Sequence, residues 1–412
     1  MAIRYLWGRA REGGRYLRGA AIGIAVSLIP IIVTLIVADG MIRGIIDRYI
    51  ELGTGHLQVF NRMDPEDLEE ARTVVLNEEG VIGAWPEQRS ISVLVGKKDK
   101  TGATIRAVDP SFWEDSGSAE YLTIVAGEAS LQSDREMLLG VSLASAIGAE
   151  PGDTVRLMTI RTSDGRSFPR AMPFVVKGIV SSGYHDLDAL WCIISWDGGK
   201  RVLSPELSSA SLIVKIDDPY KNADSKIWDL YSVLDPGYSV YSWKELLSSE
   251  YSSYLTTRQL LLFIMALVVL IAAVNVSSAT SMLVIERQRD IAVLKVTGAS
   301  VKGISDIFLW GSFLTGLIGG IVGIAAGLLI AVNINYLIRS LEKLLTFFSS
   351  LFHGSEVKIL DPGFYLETIP IIIDWKTIFF ILCFTVLCSV AASWFPSRRA
   401  GKLKPMELLR KY

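Results

Sequence analysis

The sequence predicts a multi-pass α-helical membrane protein of four transmembrane helices, with a large α+β domain inserted between helices 1 and 2. Three observations predict it. Half of the 412 residues are hydrophobic against 20% charged, and the mean hydropathy of +0.38 is too apolar for a soluble chain of this length. Four uncharged stretches, 19–38, 259–285, 307–338 and 377–397, are long enough to cross a hydrocarbon core of about 30 Å, which takes about 20 helical residues. The third observation is charge segregation hidden behind a net charge of -2: residues 1–19 hold five Arg against one Glu, residues 397–412 hold six Lys or Arg against one Glu, and residues 46–257 hold 20 basic and 32 acidic side chains.

Each element follows in order. Residues 1–18 form a basic cytoplasmic segment. Residues 19–45 are the first transmembrane helix and a stalk, loosened near Pro30; the apolar run is too long for a signal-peptide core and continues without a small-residue cleavage pattern. Residues 46–257 read as one α+β domain, because short β-like runs (92–95, 154–158, 174–180) alternate with turn clusters such as Asp235-Pro236-Gly237. The three cysteines, Cys192, Cys383 and Cys388, supply no pair within it, so it relies on its own core. Prolines 169 and 173, just past the turn at Asp164-Gly165, are expected to interrupt ladder pairing and make that arm project from the sheet. Residues 258–285 are the second membrane helix and 286–304 an amphipathic cytoplasmic helix capped by Gly298. Residues 305–338 are the third membrane helix, whose Gly316/Gly320, Gly319/Gly323 and Gly323/Gly327 pairs let helix backbones approach closely. Residues 339–374 form a short outer loop, 375–397 the fourth helix and 398–412 a basic tail. Lys and Arg near the helix ends put both termini and the 286–304 segment inside and the large domain outside.

Several function classes drop out. The charge balance argues against a nucleic-acid binder. Gly96-Lys97-Lys98, Gly199-Lys200-Arg201 and Gly401-Lys402-Leu403 lack the hydroxyl residue of a phosphate loop. No G-x-S-x-G occurs, and His56, His185 and His353 are too scattered for a helix-borne metal pair; His185 with Asp186 and Asp188 reads better as a polar loop than as a metal cluster. No catalytic or metal site is expected, and this chain is read as no enzyme. Apart from Asn275 and Asn333, the spans carry little that would hold an ion or substrate at mid-membrane.

Residues 286–300, ERQRDIAVLKVTGAS, followed by a Gly-rich span, resemble the coupling-helix signature of the FtsX/MacB-type ABC transporter permeases. Residues 395–410, FPSRRAGKLKPMELLR, resemble that family's closing motif. Within the family, residues 178–191 and 364–375 are similar to the lipoprotein-releasing permeases LolC and LolE. The resemblance implies a permease subunit in the cell inner membrane, with its large domain in the periplasm and both termini cytoplasmic. It implies pairing with a second permease, identical or paralogous, and with two copies of a LolD-like ABC ATPase that bind the ATP and Mg, this chain holding no cofactor of its own. Glu286, Arg287, Arg289, Asp290, Ile291, Leu294, Lys295 and Gly298 would couple to that ATPase. A hook at Gly165, Phe168, Pro169, Met172 and Pro173 would engage a LolA-like periplasmic carrier. Met41, Ile42, Ile45, Tyr254, Leu255 and Phe263, apolar residues near the outer ends of the first two helices, would line a cleft for the acyl chains of a lipoprotein drawn from among the membrane lipids. The implied function is extraction of lipoproteins from the outer leaflet and transfer to the carrier by mechanotransmission. The alternatives are MacB-like export of peptides or toxins, in a group often fused to its ATPase, and FtsX-like regulation of a periplasmic hydrolase.

Overall fold

The computed structural model describes residues 13–62, 64, 67–163, 166–351, 366 and 368–402. Helix α1 (Gly13–Arg48) is followed by a π-helical turn (Tyr49–Thr54), β1 (Leu57–Asn61), α2 (Glu69–Leu76), β2 (Val81–Val95), β3 (Lys100–Val108), α3 (Ser116–Tyr121), β4 (Thr123–Gly127), β5 (Glu136–Gly140) and α4 (Val141–Ile147). Then come β6 (Thr154–Ser163), β7 (Arg166–Ser181), α5 (His185–Leu190), β8 (Trp191–Ser195), α6 (Trp196–Val202), β9 (Ser208–Ile216), α7 (Pro219–Val233), β10 (Tyr238–Ser242) and α8 (Trp243–Leu246). The chain continues with α9 (Ser248–Glu286), α10 (Gln288–Val296), α11 (Val301–Val332), α12 (Ile334–Leu351) and α13 (Trp375–Lys402). Two compact units result, one from Met1–Gly40, Tyr254–Leu344 and Ile369–Tyr412, the other from Met41–Ser253 and Leu345–Thr368.

The first unit is helical. Helices α1, α9, α11 and α13 are each long and apolar enough to cross a membrane. Apolar burial does little to hold helices together in lipid, so close backbone approach and polar contacts carry the association. The glycines of α11 provide the first on two faces. A Cβ on Gly316 or Gly320 would meet Ser389 or Leu382 of α13 at 2.9 and 2.7 Å, and one on Gly319, Gly323 or Gly327 would meet Ala21, Ala25 or Ile32 of α1 at 2.7, 2.9 and 2.8 Å. Buried hydroxyls provide the second: Thr280 of α9 lies 3.2 Å from Ser312 of α11 and 3.3 Å from Ser393 of α13. Helix α1 continues through Pro30. The third span does not reach residue 338 as the apolar run predicted. It ends at Val332, where the Asn333 amide donates back to Leu329 O (2.8 Å), a local bond that competes with helix continuation. Helix α12 then occupies the start of what composition made a loop, anchored where Asn335 donates to Ile369 O (2.9 Å) and accepts from Ile369 N (3.0 Å).

The second unit is a ten-stranded mixed sheet in the order β10-β1-β9-β2-β3-β8-β5-β7-β4, with β6 joining β2 to β7. That last pairing closes β2, β3, β8, β5, β7 and β6 into a ring. Its interior holds Leu94, Ile105, Leu139, Leu157, Phe174 and Ile194, residues that alternate with outward ones as period-2 strands require. Strand β2 serves two partners along one edge: residues 81–90 pair with β9 and 93–95 with β6. The prolines do not break the β6–β7 ladder, since Pro169 stands opposite Ile160 and Pro173 opposite Arg156. Beyond Met158 the hairpin pairs only with itself, so it continues as a two-stranded ribbon.

Candidate functional site

The most constrained site lies where α1 ends within the sheet unit. A π-helical turn leaves main-chain carbonyls without regular helical partners, and buried cations supply them. Arg106 of β3 and Glu87 of β2 are both wholly buried. Arg106 donates to Glu87 Oε1 at 2.5 Å, to Leu52 O, and to Gly53 O at 3.3 Å. Arg89 donates to Glu87 Oε2 and to Gly53 O, each at 2.7 Å. Arg89 and Arg106 are direct cross-strand neighbours, an arrangement that repels unless an anion bridges it; Glu87, two residues along the same face, is that anion. Burial works against the Glu87 charge, but Arg106 and Arg89 outweigh it and hold the carboxyl below its usual range. Burial lowers the Arg106 guanidinium to about 10 despite Glu87 beside it, so it stays charged at neutral pH.

A second buried cation holds the same turn. Lys215 of β9, 1% exposed, donates to Asp115 (2.7 Å), Ser118 Oγ (2.8 Å) and Glu51 (2.9 Å). His56 Nδ1 lies 2.8 Å from both the amide and the carbonyl of Ile216, and its Nε2 lies 2.8 Å from Glu51 Oε1. Around them, Tyr220 donates to Asp47, Arg43 lies 4.1 Å over the Tyr220 ring, and Arg48 Nε donates to Ser182 O at 2.7 Å. The Ser182 loop is tied by Asp188, which accepts from Ser181 Oγ (2.6 Å), Ser182 N (2.7 Å) and Ser182 Oγ (2.7 Å), while His185 Nδ1 lies 2.9 Å from Ser142 Oγ. Burial raises the Asp188 carboxyl above its usual range against the pull of those bonds. The polar loop at 181–188 is therefore a socket for α1. Sequence reading missed this joint, because Arg106, Glu87 and Lys215 look like ordinary strand charges until β2, β3 and β9 are aligned.

Helix α10 is amphipathic as expected, but its faces are split differently. Ile291 and Ala292 are buried, and Ile291 joins Leu17, Leu283, Ile304, Phe308 and Ala400 in the bundle's own cluster. The apolar side chains left outside are Val293 and Val296, 52% and 68% exposed; with exposed Arg289 they fall at helical spacing on one outer face of α10, while Glu286, also exposed, ends α9. Arg287 pairs with Asp290 at 2.9 Å, and Leu294 and Lys295 are half-buried. Gly298 has φ +96; its amide donates to Lys295 O and that of Ala299 to Leu294 O, a left-handed C-terminal cap that glycine alone takes without strain.

Of the hook residues, Gly165 lies outside the described residues. Phe168 (55% exposed), Pro169 and Pro173 are exposed, whereas Met172 is buried in the ring; Ile160, opposite Pro169 and 51% exposed, adds to the apolar ribbon. Of the cleft residues, Met41, Ile42 and Ile45 are half-buried in the sheet unit. In the helical unit Tyr254 is half-buried, while Leu255 and Phe263 are exposed. None of the six lines the cavity of about 220 Å³ between α1 and α9, which is formed by Pro30, Ile31, Thr34, Leu35, Leu261 and Ile264 with Met265 and Val268.

Four helices long and apolar enough to cross a membrane, a short charged helix between the second and third, and a ten-stranded sheet unit define a multi-pass membrane protein with a large folded domain. The MacB-like periplasmic core domain family matches residues 19–225, and the FtsX-like permease C-terminal family matches residues 262–405. The chain belongs to this FtsX/MacB family of ABC permeases. It is similar to the lipoprotein-releasing system transmembrane protein LolC of Xylella fastidiosa (27% identity, 100% of this chain and 98% of that one). It is also similar to the lipoprotein-releasing system transmembrane protein LolE of Haemophilus influenzae (23%, 95% and 93%) and to the macrolide export ATP-binding/permease protein MacB of Haemophilus ducreyi (21%, 94% and 53%).

Proposed function

We propose that this chain is the permease subunit of an ABC transporter that extracts lipoproteins from the outer leaflet of the inner membrane and hands them to a periplasmic carrier. The observation that carries this reading is end-to-end correspondence with a protein named for lipoprotein release, at 98% of its length, against 53% of a macrolide exporter. In this reading the large sheet unit is a periplasmic domain between the first and second membrane helices, both termini are cytoplasmic, and a second permease and two ATPase subunits complete the transporter.

The proposed mechanism assigns a part to each of these elements. The outer face of α10 receives the ATPase, while Ile291 locks α10 to the bundle, so a push on Val293 and Val296 moves the helices with it. In this reading α1 passes that motion on toward the Glu51–Gly53 turn, which Arg106 and Lys215 bond within the sheet unit. Acyl chains enter the apolar groove beside Pro30, and the Phe168–Ile160 ribbon engages the carrier. Force is needed because each CH₂ taken from apolar surroundings into water costs about 0.8 kcal/mol; two or three long chains therefore cost on the order of tens of kcal/mol if water is the destination.

The test is reconstitution of the chain with its partner permease and ATPase in proteoliposomes carrying a triacylated lipoprotein. ATP-dependent appearance of the lipoprotein on a soluble carrier is the expected result. Hydrolysis indifferent to lipoprotein, with transfer no faster than without ATP, would refute the reading.

A further inference from the structure

Helices α1 and α11 leave a furrow of about 410 Å³ on the surface of the helical unit. It exists because their backbones touch. Where a Cβ on Gly319 would meet Ala21 O at 2.7 Å and one on Gly323 would meet Ala25 Cα at 2.9 Å, no side chain remains to fill the floor. The walls are apolar and unfilled: Ile22, Val26 and Val322 are 63%, 60% and 54% exposed. Arg18 stands at one end. It is one helical turn before Ile22 and two before Val26, so all three share a face.

The dimensions select the occupant. From Arg18 to Ile29, the last α1 residue of the furrow, eleven steps of 1.5 Å span about 16 Å, about half of a hydrocarbon core of roughly 30 Å. A furrow one leaflet long, apolar along its length and cationic at its end, is complementary to a single phospholipid. A guanidinium forks onto phosphate oxygens, and a zwitterionic headgroup would bring an ammonium toward that same cation. We propose that this furrow binds one anionic phospholipid from the leaflet in which α1 begins, its acyl chain over Ala21, Ala25 and Gly319 and its phosphate on Arg18. The inference needs only that α1 and α11 cross a bilayer, so it is independent of lipoprotein release.

The experiment places the full chain in nanodiscs of equal parts phosphatidylglycerol and phosphatidylcholine and counts retained lipids by native mass spectrometry. One phosphatidylglycerol per chain is expected, preferred about tenfold over phosphatidylcholine, whose ammonium the Arg18 guanidinium repels. Arg18→Gln should erase the preference while keeping a bound lipid, and Val26→Trp or Val322→Trp, which fill the furrow from either wall, should expel both lipids. All three positions are exposed, and an unchanged melting temperature confirms the fold. Retention in the bulk ratio by the wild type, or unchanged retention in all three variants, would overturn the proposal. So would efficient disulfide formation between two copies of Ile22→Cys with loss of lipid, because a second chain would then occupy the furrow.

Discussion

A guanidinium shut away from water needs partners, and each of the three Arg106 nitrogens has one, in a carboxylate and two carbonyls of the π-helical turn. Removing one member of such a pair strands the other, which typically costs about 3–5 kcal/mol, whereas replacing both by apolar groups costs far less. Arg106→Met should therefore lower the unfolding free energy of the sheet unit by about that amount, and Arg106→Met with Glu87→Leu by clearly less, read from urea unfolding followed by tryptophan fluorescence. Equal losses in the two variants would show that the pair is not coupled. The same carboxylate sets a pH dependence. Because the folded Glu87 carboxyl sits below its ordinary range, its contribution is fully present above the unfolded value of about 4.3 and is lost as pH falls through the lower folded value. Melting temperature should hold through neutral pH and drop on acidification below about 4, and the drop should be smaller in Glu87→Gln.

Among the elements, α11 shows what glycine spacing means when two faces are occupied. Gly323→Leu would drive a side chain into Ala25, where even a Cβ comes within 2.9 Å; the helices must separate, and the detergent-solubilised protein should melt several degrees lower. Gly23→Ala on α1 meets nothing within 4 Å and removes a helix-interior glycine worth about 1 kcal/mol, so it should melt no lower than wild type. Similar losses in both would mean that glycine serves flexibility rather than contact. The glycine pairing, the four apolar runs and the Gly298 cap were legible in the sequence because each depends on residues within a few helical turns. The break at Asn333 was not, since Asn is tolerated inside many helices and only its bond to Leu329 O and the anchoring of Asn335 on Ile369 decide the outcome. Nor was the ring closed by β6, because Val93 meets Met158 through long-range pairing that no local pattern encodes. Ile291 was misplaced for a related reason: amphipathicity shows that α10 has an apolar face, but not whether that face turns to its own bundle or to a partner.

At the scale of the whole molecule, the proposed mechanism makes this chain a lever driven from one end, which can fail at its handle or at its joint, and the two failures have different signatures. Val293→Glu with Val296→Glu places charge on the exposed face of α10 without touching the Ile291 cluster. The subunit should fold and pair with its partner permease, yet recruit the ATPase poorly and lose hydrolysis and release together. Arg106→Met leaves that face intact and, besides stranding Glu87, loosens the hold on Leu52 and Gly53; ATPase recruitment and basal hydrolysis should persist while lipoprotein release per ATP falls. The comparison requires a temperature at which both variants are folded, verified by tryptophan fluorescence, so that lost stability is not mistaken for lost coupling. Release that remains proportional to hydrolysis in Arg106→Met would mean that the α1 joint merely holds the sheet together, and that force reaches it by another route such as α9. Hydrolysis lost in both variants would place the joint's influence back at the nucleotide sites of the partner ATPase.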